Sequence, residues 1–216
     1  MGKKKLKHLG RYKKVKKNIK IYIKKIGITI CVLVSVNVLF NISNYIENIN
    51  KTKDISLEQS KVDFIDKIEK GAKKSYRKYG IFPSVTIAQA ILESGWGESQ
   101  LTKDSNNLFG IKADSSWDGE YVEVITSENY NDKVNAKFRK YNDLNESIED
   151  HAKFLAENKR YGEHGIFQAK NYKQQAEALQ DAGYSTKKNE KGQLIYAEIL
   201  INIIESYNLY LLDNKL

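Results

Sequence analysis

The chain has 216 residues, 41% of them hydrophobic, which is enough for one ordinary core plus accessory segments and excludes two full-sized domains. Its net charge of +9 resembles that of a nucleic-acid binder, but residues 1–25 hold twelve Lys or Arg and no acid. That leaves 24 basic against 27 acidic residues in the rest, so the body of the chain is not basic and no nucleic-acid partner is expected.

The basic tail, residues 1–25, is followed by residues 26–46, which lack Asp, Glu, Lys and Arg and centre on Ile26-Gly-Ile-Thr-Ile-Cys-Val-Leu-Val-Ser-Val-Asn-Val-Leu-Phe40. A hydrocarbon layer of roughly 30 Å takes about 20 helical residues, so this stretch predicts one membrane-spanning helix. The excess of lysine before it places the tail in the cytoplasm and the remainder outside a bacterial membrane. A cleaved signal peptide is the rival reading, but no small-x-small pattern follows the apolar run. Cys31, the only cysteine, lies inside that run, so the external part has no internal disulfide and depends on packing alone. Residues 47–56 read as a polar tether and residues 57–216 as the folded domain.

Within that domain Val62, Ile65, Ile68 and Ala72 keep helical spacing over residues 57–78, and Gly80 with the chain's one proline, Pro83, ends the helix. Ser84 is a candidate N-cap for the next helix. On a wheel of 100° per residue, Val85, Ala88, Leu92 and Trp96 share one side and Ile87 and Ile91 another. Thr86, Gln89 and Glu93 form a narrow polar stripe between them, and Gly95 and Gly97 stop the helix just beyond Glu93. A carboxyl set among hydrocarbon holds its proton more tightly, which suits a general acid. A capping or ion-paired Glu93 is the structural alternative.

Residues 94–117 are rich in Gly, Ser, Asn and Asp around a small apolar knot, Leu108-Phe-Gly-Ile111, and read as a binding loop. Tyr121–Ile125 and Val134–Phe138 then alternate with period two around Glu128–Asp132, predicting a hairpin with a long tip. Capping boxes at Asp143-Leu-Asn-Glu146 and Asn171-Tyr-Lys-Gln174 open two further helices, the second ending near Gly183, and a last amphipathic helix covers about residues 193–207. The fold class is therefore α+β, mainly helical, with one β-hairpin.

An acid in a buried helix facing an acid on a hairpin is one geometry glycosidases use: one carboxyl protonates the leaving oxygen, the other attacks the anomeric carbon or activates water. Glu120, Glu123 and Glu128 are the hairpin candidates; Glu128 alone stands at the tip. Trp96, Phe109 and Trp117 offer aromatic faces to the C–H faces of pyranose rings, with a place in the core the equal alternative for Phe109, whereas Asn106 and Asn107 suit a turn. The three histidines, His8, His151 and His164, lack metal-ligand spacing, and His151 reads as a surface or packing residue. Neither a phosphate-binding glycine loop nor a nucleophilic Ser or Cys motif occurs, so no cofactor and no metal is implied.

Five motifs in fixed order, Gln89-Ala-Ile-Leu-Glu-Ser-Gly-Trp-Gly97, Asn107-Leu-Phe-Gly-Ile-Lys112, Trp117-x-Gly119, Thr126-Ser-Glu128 and Phe138-Arg-x-Tyr141, resemble the peptidoglycan-cleaving glucosaminidases of glycoside hydrolase family 73. That family includes flagellar rod-assembly and autolysin-type enzymes, and the resemblance covers about residues 60–208. It implies a lysozyme-like helical domain with a small β-lobe that cleaves the β-1,4 bond after N-acetylglucosamine in cell-wall glycan. Glu93 matches the family's catalytic acid, Glu128 its second carboxylate, and Gly183-Tyr184-Ser-Thr186 the segment whose tyrosine lies in the active site. Gln89, Trp96, Asn107, Phe109, Trp117 and Tyr130 are then the candidate substrate contacts. Thr126-Ser-Glu-Asn-Tyr130 departs from the family's Thr-Thr-Glu-Tyr by a serine and an inserted asparagine, and Lys187-Lys188 replaces its Asp-Pro. Spacing alone leaves inverting, retaining and substrate-assisted routes open, as it does muramidase or lytic transglycosylase activity and a non-catalytic wall-binding role.

Overall fold

The computed structural model describes the backbone of residues 2–128 and 132–215 and the side chains of residues 41–125 and 135–214. The chain divides into two units, residues 1–59 and residues 60–216. Helix α1 (Gly2–Tyr79) begins in the first and ends in the second. Residues 47–56, read from the sequence as a polar tether, are helical, with every side chain exposed. The physical reason is that no glycine or proline stands between Gly27 and Gly71, so polarity alone does not break the helix. Among the described residues no helix is long and apolar enough to cross a membrane. Positions 26–40 of the expected span lie outside the residues whose side chains are described.

The second unit is built around α2 (Pro83–Ser94), whose residues 83–91 are all buried. Phe64, Ile68 and Ala72 of α1 join the same core. So do Ile148, Ala152 and Leu155 of α4 (Leu144–Glu157), Ala176 and Leu179 of α6 (Tyr172–Asp181), and Leu200 and Ile204 of α7 (Tyr196–Ser206). Two short helices, α3 (Gln100–Ser105) and α5 (Lys159–Glu163), complete the helical part.

Ser84 is not the N-cap of α2. Phe82 holds that place and Pro83, whose ring presets the helical φ, takes the first turn. The cap comes instead from Asp213 in the 3₁₀ stretch Leu209–Lys215: its carboxylate accepts from Ser84 N (3.0 Å) and Ser84 Oγ (2.6 Å). At the other end Gly95, Trp96 and Gly97 all adopt positive φ (57°, 64° and 78°), reversing the chain within four residues of Glu93. A Cβ on Gly97 would stand 2.7 Å from the Phe64 ring, so glycine is required there for space as well as for φ.

Strands β1 (Tyr121–Glu128) and β2 (Asp132–Arg139) form the expected antiparallel hairpin, in the register Tyr121 to Arg139 and Glu128 to Asp132. Each strand runs further toward the tip than its alternation predicted. Both capping boxes close: Asp143 accepts from Asn145 N and Glu146 N, Asn171 from Gln174 N, and Glu146 and Gln174 reach back to Asn142 N and Lys170 N. Among the described residues the layout is mainly helical with one small two-stranded antiparallel sheet, as the α+β expectation had it.

Candidate active site

A cleft of about 570 Å³ opens at the C-terminal end of α2, lined by Glu93, Phe109, Asp114, Arg139, Arg160 and Tyr184 among others. Glu93 reaches it because the left-handed turn at Gly95 ends the helix one residue after Ser94. Its side chain is open on the cleft side, yet its pKa is raised. Burial is the largest cause, opposed by a hydrogen bond from Tyr196 and by the charge of Lys187. Exposure and desolvation coexist here because a carboxyl at the wall of a cleft has solvent before it and protein packed behind it.

Behind Glu93 stands a relay of buried polar groups. The Tyr196 hydroxyl donates to Glu93 Oε1 at 3.1 Å and accepts from Gln89 Nε2 at 3.0 Å. Gln89 is fully buried and holds Tyr196, so the structure puts it behind Glu93 and not among the residues lining the cleft. The polar stripe of α2 faces inward and is wet only at Glu93: Thr86 is also fully buried.

Tyr196 stacks on Tyr184 with ring centroids 5.3 Å apart, and Tyr184 OH lies 3.2 Å from His151 Nε2. His151 in turn stacks on Phe109 at 3.8 Å. It is a fully buried histidine of α4, not a surface one, and burial pushes its pKa down to about 3, so the ring is neutral. Burial also raises the Tyr184 and Tyr196 hydroxyls far above the usual phenol range, helped by the charge of Glu93, so both remain donors.

Phe109, only 7% exposed and part of the core cluster, also lines the cleft, on a loop held by Asn107. The Asn107 amide donates to Ile111 O (3.0 Å) and Arg139 O (2.9 Å) and accepts from Ile111 N (3.1 Å), and the residue is buried. Asn107 thus shapes the loop and makes no surface for substrate. Trp96 does not reach the cleft either: its ring packs edge-on against Phe64 (6.1 Å) and Tyr207 (4.8 Å) on the other side of the turn. Trp117 is not among the residues lining the Glu93 cleft: it lines a different cavity with Tyr79 and Tyr141, and the Arg139 guanidinium lies 4.5 Å from its indole centroid. Glu128 closes β1 at the hairpin tip, but its side chain, like the whole of Tyr130, lies outside the described residues. Glu120 and Glu123 are exposed and face Lys140 and Lys137.

Sequence reasoning missed Tyr196, Asp114 and Arg160, and gave His151 only as a surface or packing residue. Tyr196 and His151 sit at buried helical positions, and Asp114 and Arg160 carry no periodic signal. Asp114 is held below the usual carboxylate range, first by its hydrogen bonds from Ser116 and then by Arg139, so the cleft pairs a carboxyl whose pKa is raised with one whose pKa is lowered.

The family described as mannosyl-glycoprotein endo-beta-N-acetylglucosaminidase matches residues 69–209. Exo-glucosaminidase LytG of Bacillus subtilis strain 168 is 39% identical over 171 residues, covering 74% of this chain and 58% of that protein. Peptidoglycan hydrolase FlgJ of Escherichia coli K12 is 36% identical over 159 residues, 70% of this chain and 48% of the relative. The chain thus spans about half the length of these relatives. Among solved structures, the catalytic domain of the autolysin Auto of Listeria monocytogenes superposes with a TM-score of 0.61 at 33% identity, covering 76% of this chain and 97% of that one. The glycoside hydrolase domain of Salmonella typhimurium FlgJ gives 0.57 at 35% identity, with 69% and 89% covered.

Proposed function

The chain belongs to the glucosaminidase family, and from that premise we propose that it is a peptidoglycan hydrolase acting as an endo-β-N-acetylglucosaminidase. The bond cleaved is the β-1,4 linkage after N-acetylglucosamine. The observation that carries the reading is the carboxyl of Glu93, which faces a glycan-sized cleft, is held by Tyr196 and keeps its proton more tightly than an ordinary glutamate. Such an acid protonates the glycosidic oxygen as the C–O bond breaks, so the leaving sugar departs as a neutral alcohol. Glu128, at the end of β1, is the proposed second carboxylate, stabilising the positive charge that develops at the anomeric carbon or activating water. Phe109 and Tyr184 supply the aromatic wall against which a sugar ring packs.

The test is the chemistry of the ends released from purified wall. New N-acetylglucosamine reducing ends support the reading, and a broad range of product lengths supports endo over exo attack. Muramic-acid reducing ends, anhydro-muramic ends or no release would each replace it, by a muramidase, a lytic transglycosylase or a wall-binding protein respectively.

The proposal extends to location. Residues 26–46 act as a single-pass anchor with the lysine tail in the cytoplasm and the catalytic unit outside, a reading supported by the uncharged apolar run directly after twelve basic residues. Sedimentation with membranes and shaving of the intact cell by external protease test it. A mature protein free in the medium with a new N-terminus near Ser43 would refute it.

A further inference from the structure

The Glu93 cleft carries more positive charge than an uncharged sugar polymer calls for. Lys112, Arg139 and Arg160 all line it, against Asp114 and Glu93. Arg139 is already committed: both oxygens of Asp150 lie within 3.1 Å of its Nη1, and its Nε donates to Lys112 O. Lys112 is engaged in a contact of its own. Arg160 differs. Its side chain is exposed, and no described carboxylate stands within ion-pair distance of it.

Its guanidinium is nevertheless not free to wander. Nη2 donates to the hydroxyl of Tyr161 at 2.6 Å, and the guanidinium carbon stands 4.6 Å from the same ring's centroid. Tyr161 itself is 1% exposed and packs against Phe154 and Tyr184, so the anchor is part of the core. A planar fork fixed at the wall of a cleft, with no ion-pair partner among the described carboxylates, is a ready partner for a carboxylate.

Resting on the function proposed above, we propose that Arg160 forms an anion-binding subsite of the Glu93 cleft, which grips a carboxylate carried on the lactyl arm of the glycan strand. The carboxylate belongs either to the stem peptide or, where the peptide has been removed, to the lactyl group itself. Arg160 is thus a specificity residue that favours wall glycan over neutral polymers of N-acetylglucosamine, while Glu93 performs the chemistry on either.

The experiment reads binding without turnover. Full-length Glu93→Gln protein is titrated calorimetrically with three soluble glycan preparations of matched length. One carries stem peptides, one has been stripped of them by an amidase, and one has every carboxyl converted to its methylamide. The carboxylate-bearing strands are expected to bind about tenfold more tightly than the methylamide form, as a charge-assisted contact implies. That ratio should fall to about one with Arg160→Gln added, and Arg160→Lys should restore part of it, since charge without the fork geometry is worth less. A preference for peptide-bearing strands alone assigns the carboxylate to the stem; an equal preference for stripped strands assigns it to the lactyl group. Equal affinity for charged and neutralised glycan, a preference that survives Arg160→Gln, or no measurable binding of any preparation overturns the subsite. Inability of the wild-type protein to cut purified wall is a separate result, and it would overturn the functional reading instead.

Discussion

Replacing Tyr196 by phenylalanine removes one hydroxyl and keeps the ring that stacks on Tyr184, so it isolates the relay behind Glu93. Two contacts go: the donation to Glu93 Oε1 at 3.1 Å and the acceptance from Gln89 Nε2 at 3.0 Å. Glu93 opens on the cleft and can take a water in place of the hydroxyl, so its share of the stability loss is small. Gln89 is fully buried and cannot, so the cost is that of an unsatisfied buried amide, about 1–3 kcal/mol. For a folded unit of this size that is a drop in melting temperature of roughly 2–12 °C. The effect on catalysis has a definite sign. Burial raises the pKa of Glu93 and the Tyr196 hydroxyl partly offsets it, so the variant's acid holds its proton to still higher pH. The alkaline limb of the kcat/KM profile, where the general acid is lost, therefore moves upward, while the rate at the optimum falls because the carboxyl is no longer aimed. Clearing of purified wall, followed across the pH range together with a calorimetric melt, measures both. An alkaline limb that stays put or moves to lower pH would show that Tyr196 does not tune Glu93.

Glu93→Gln should lower wall hydrolysis by at least about 10²-fold, the usual worth of a general acid, without lowering the melting temperature. The sign follows from linkage: a carboxyl whose folded pKa is raised costs stability as pH climbs through that pKa, and the amide has no such cost. Turnover close to wild type in the folded variant would remove Glu93 from the mechanism. His151, neutral in the fold with a pKa near 3 against an ordinary 6.5, makes the protein acid-labile: stability present above pH 6.5 falls by about 2 kcal/mol on going to about pH 5, because only the unfolded chain takes up the proton. Urea melts at the two pH values should show this slope, and His151→Phe, which keeps the stack on Phe109, should flatten it. Gly97→Ala meets both a φ of 78° and the Phe64 ring, and a loss of about 1–3 kcal/mol in a denaturant melt is expected. The chain shortened to residues 57–216 should fold and clear purified wall as the full chain does, since the core closes within residues 60–216; aggregation or an unfolded spectrum would refute that.

What the sequence alone determined here is whatever short-range chemistry decides. Capping boxes at Asp143 and Asn171 act over three residues, the β-alternation of residues 121–125 and 134–138 over two, and Gly95 terminates α2 by its own φ. The position of Glu93 at the end of an apolar helix was legible for the same reason. Where the polar stripe led was not: Gln89 turns inward because Tyr196, 107 residues away, meets it there, and Tyr196 reaches Glu93 across 103. The same holds at the other end of α2, where Asp213 supplies a cap 129 residues from Ser84 that no local pattern encodes. Aromatic residues were the least readable of all. Trp96 and Phe109 look alike as candidate sugar platforms, yet the positive φ of Trp96 turns its ring toward Phe64 and Tyr207, while the Asn107 clamp holds Phe109 at the cleft. An indole gains about as much from burial in a core as from a ligand's face, so composition cannot distinguish the two; only the backbone path and the neighbours that distant segments bring decide which contact is made.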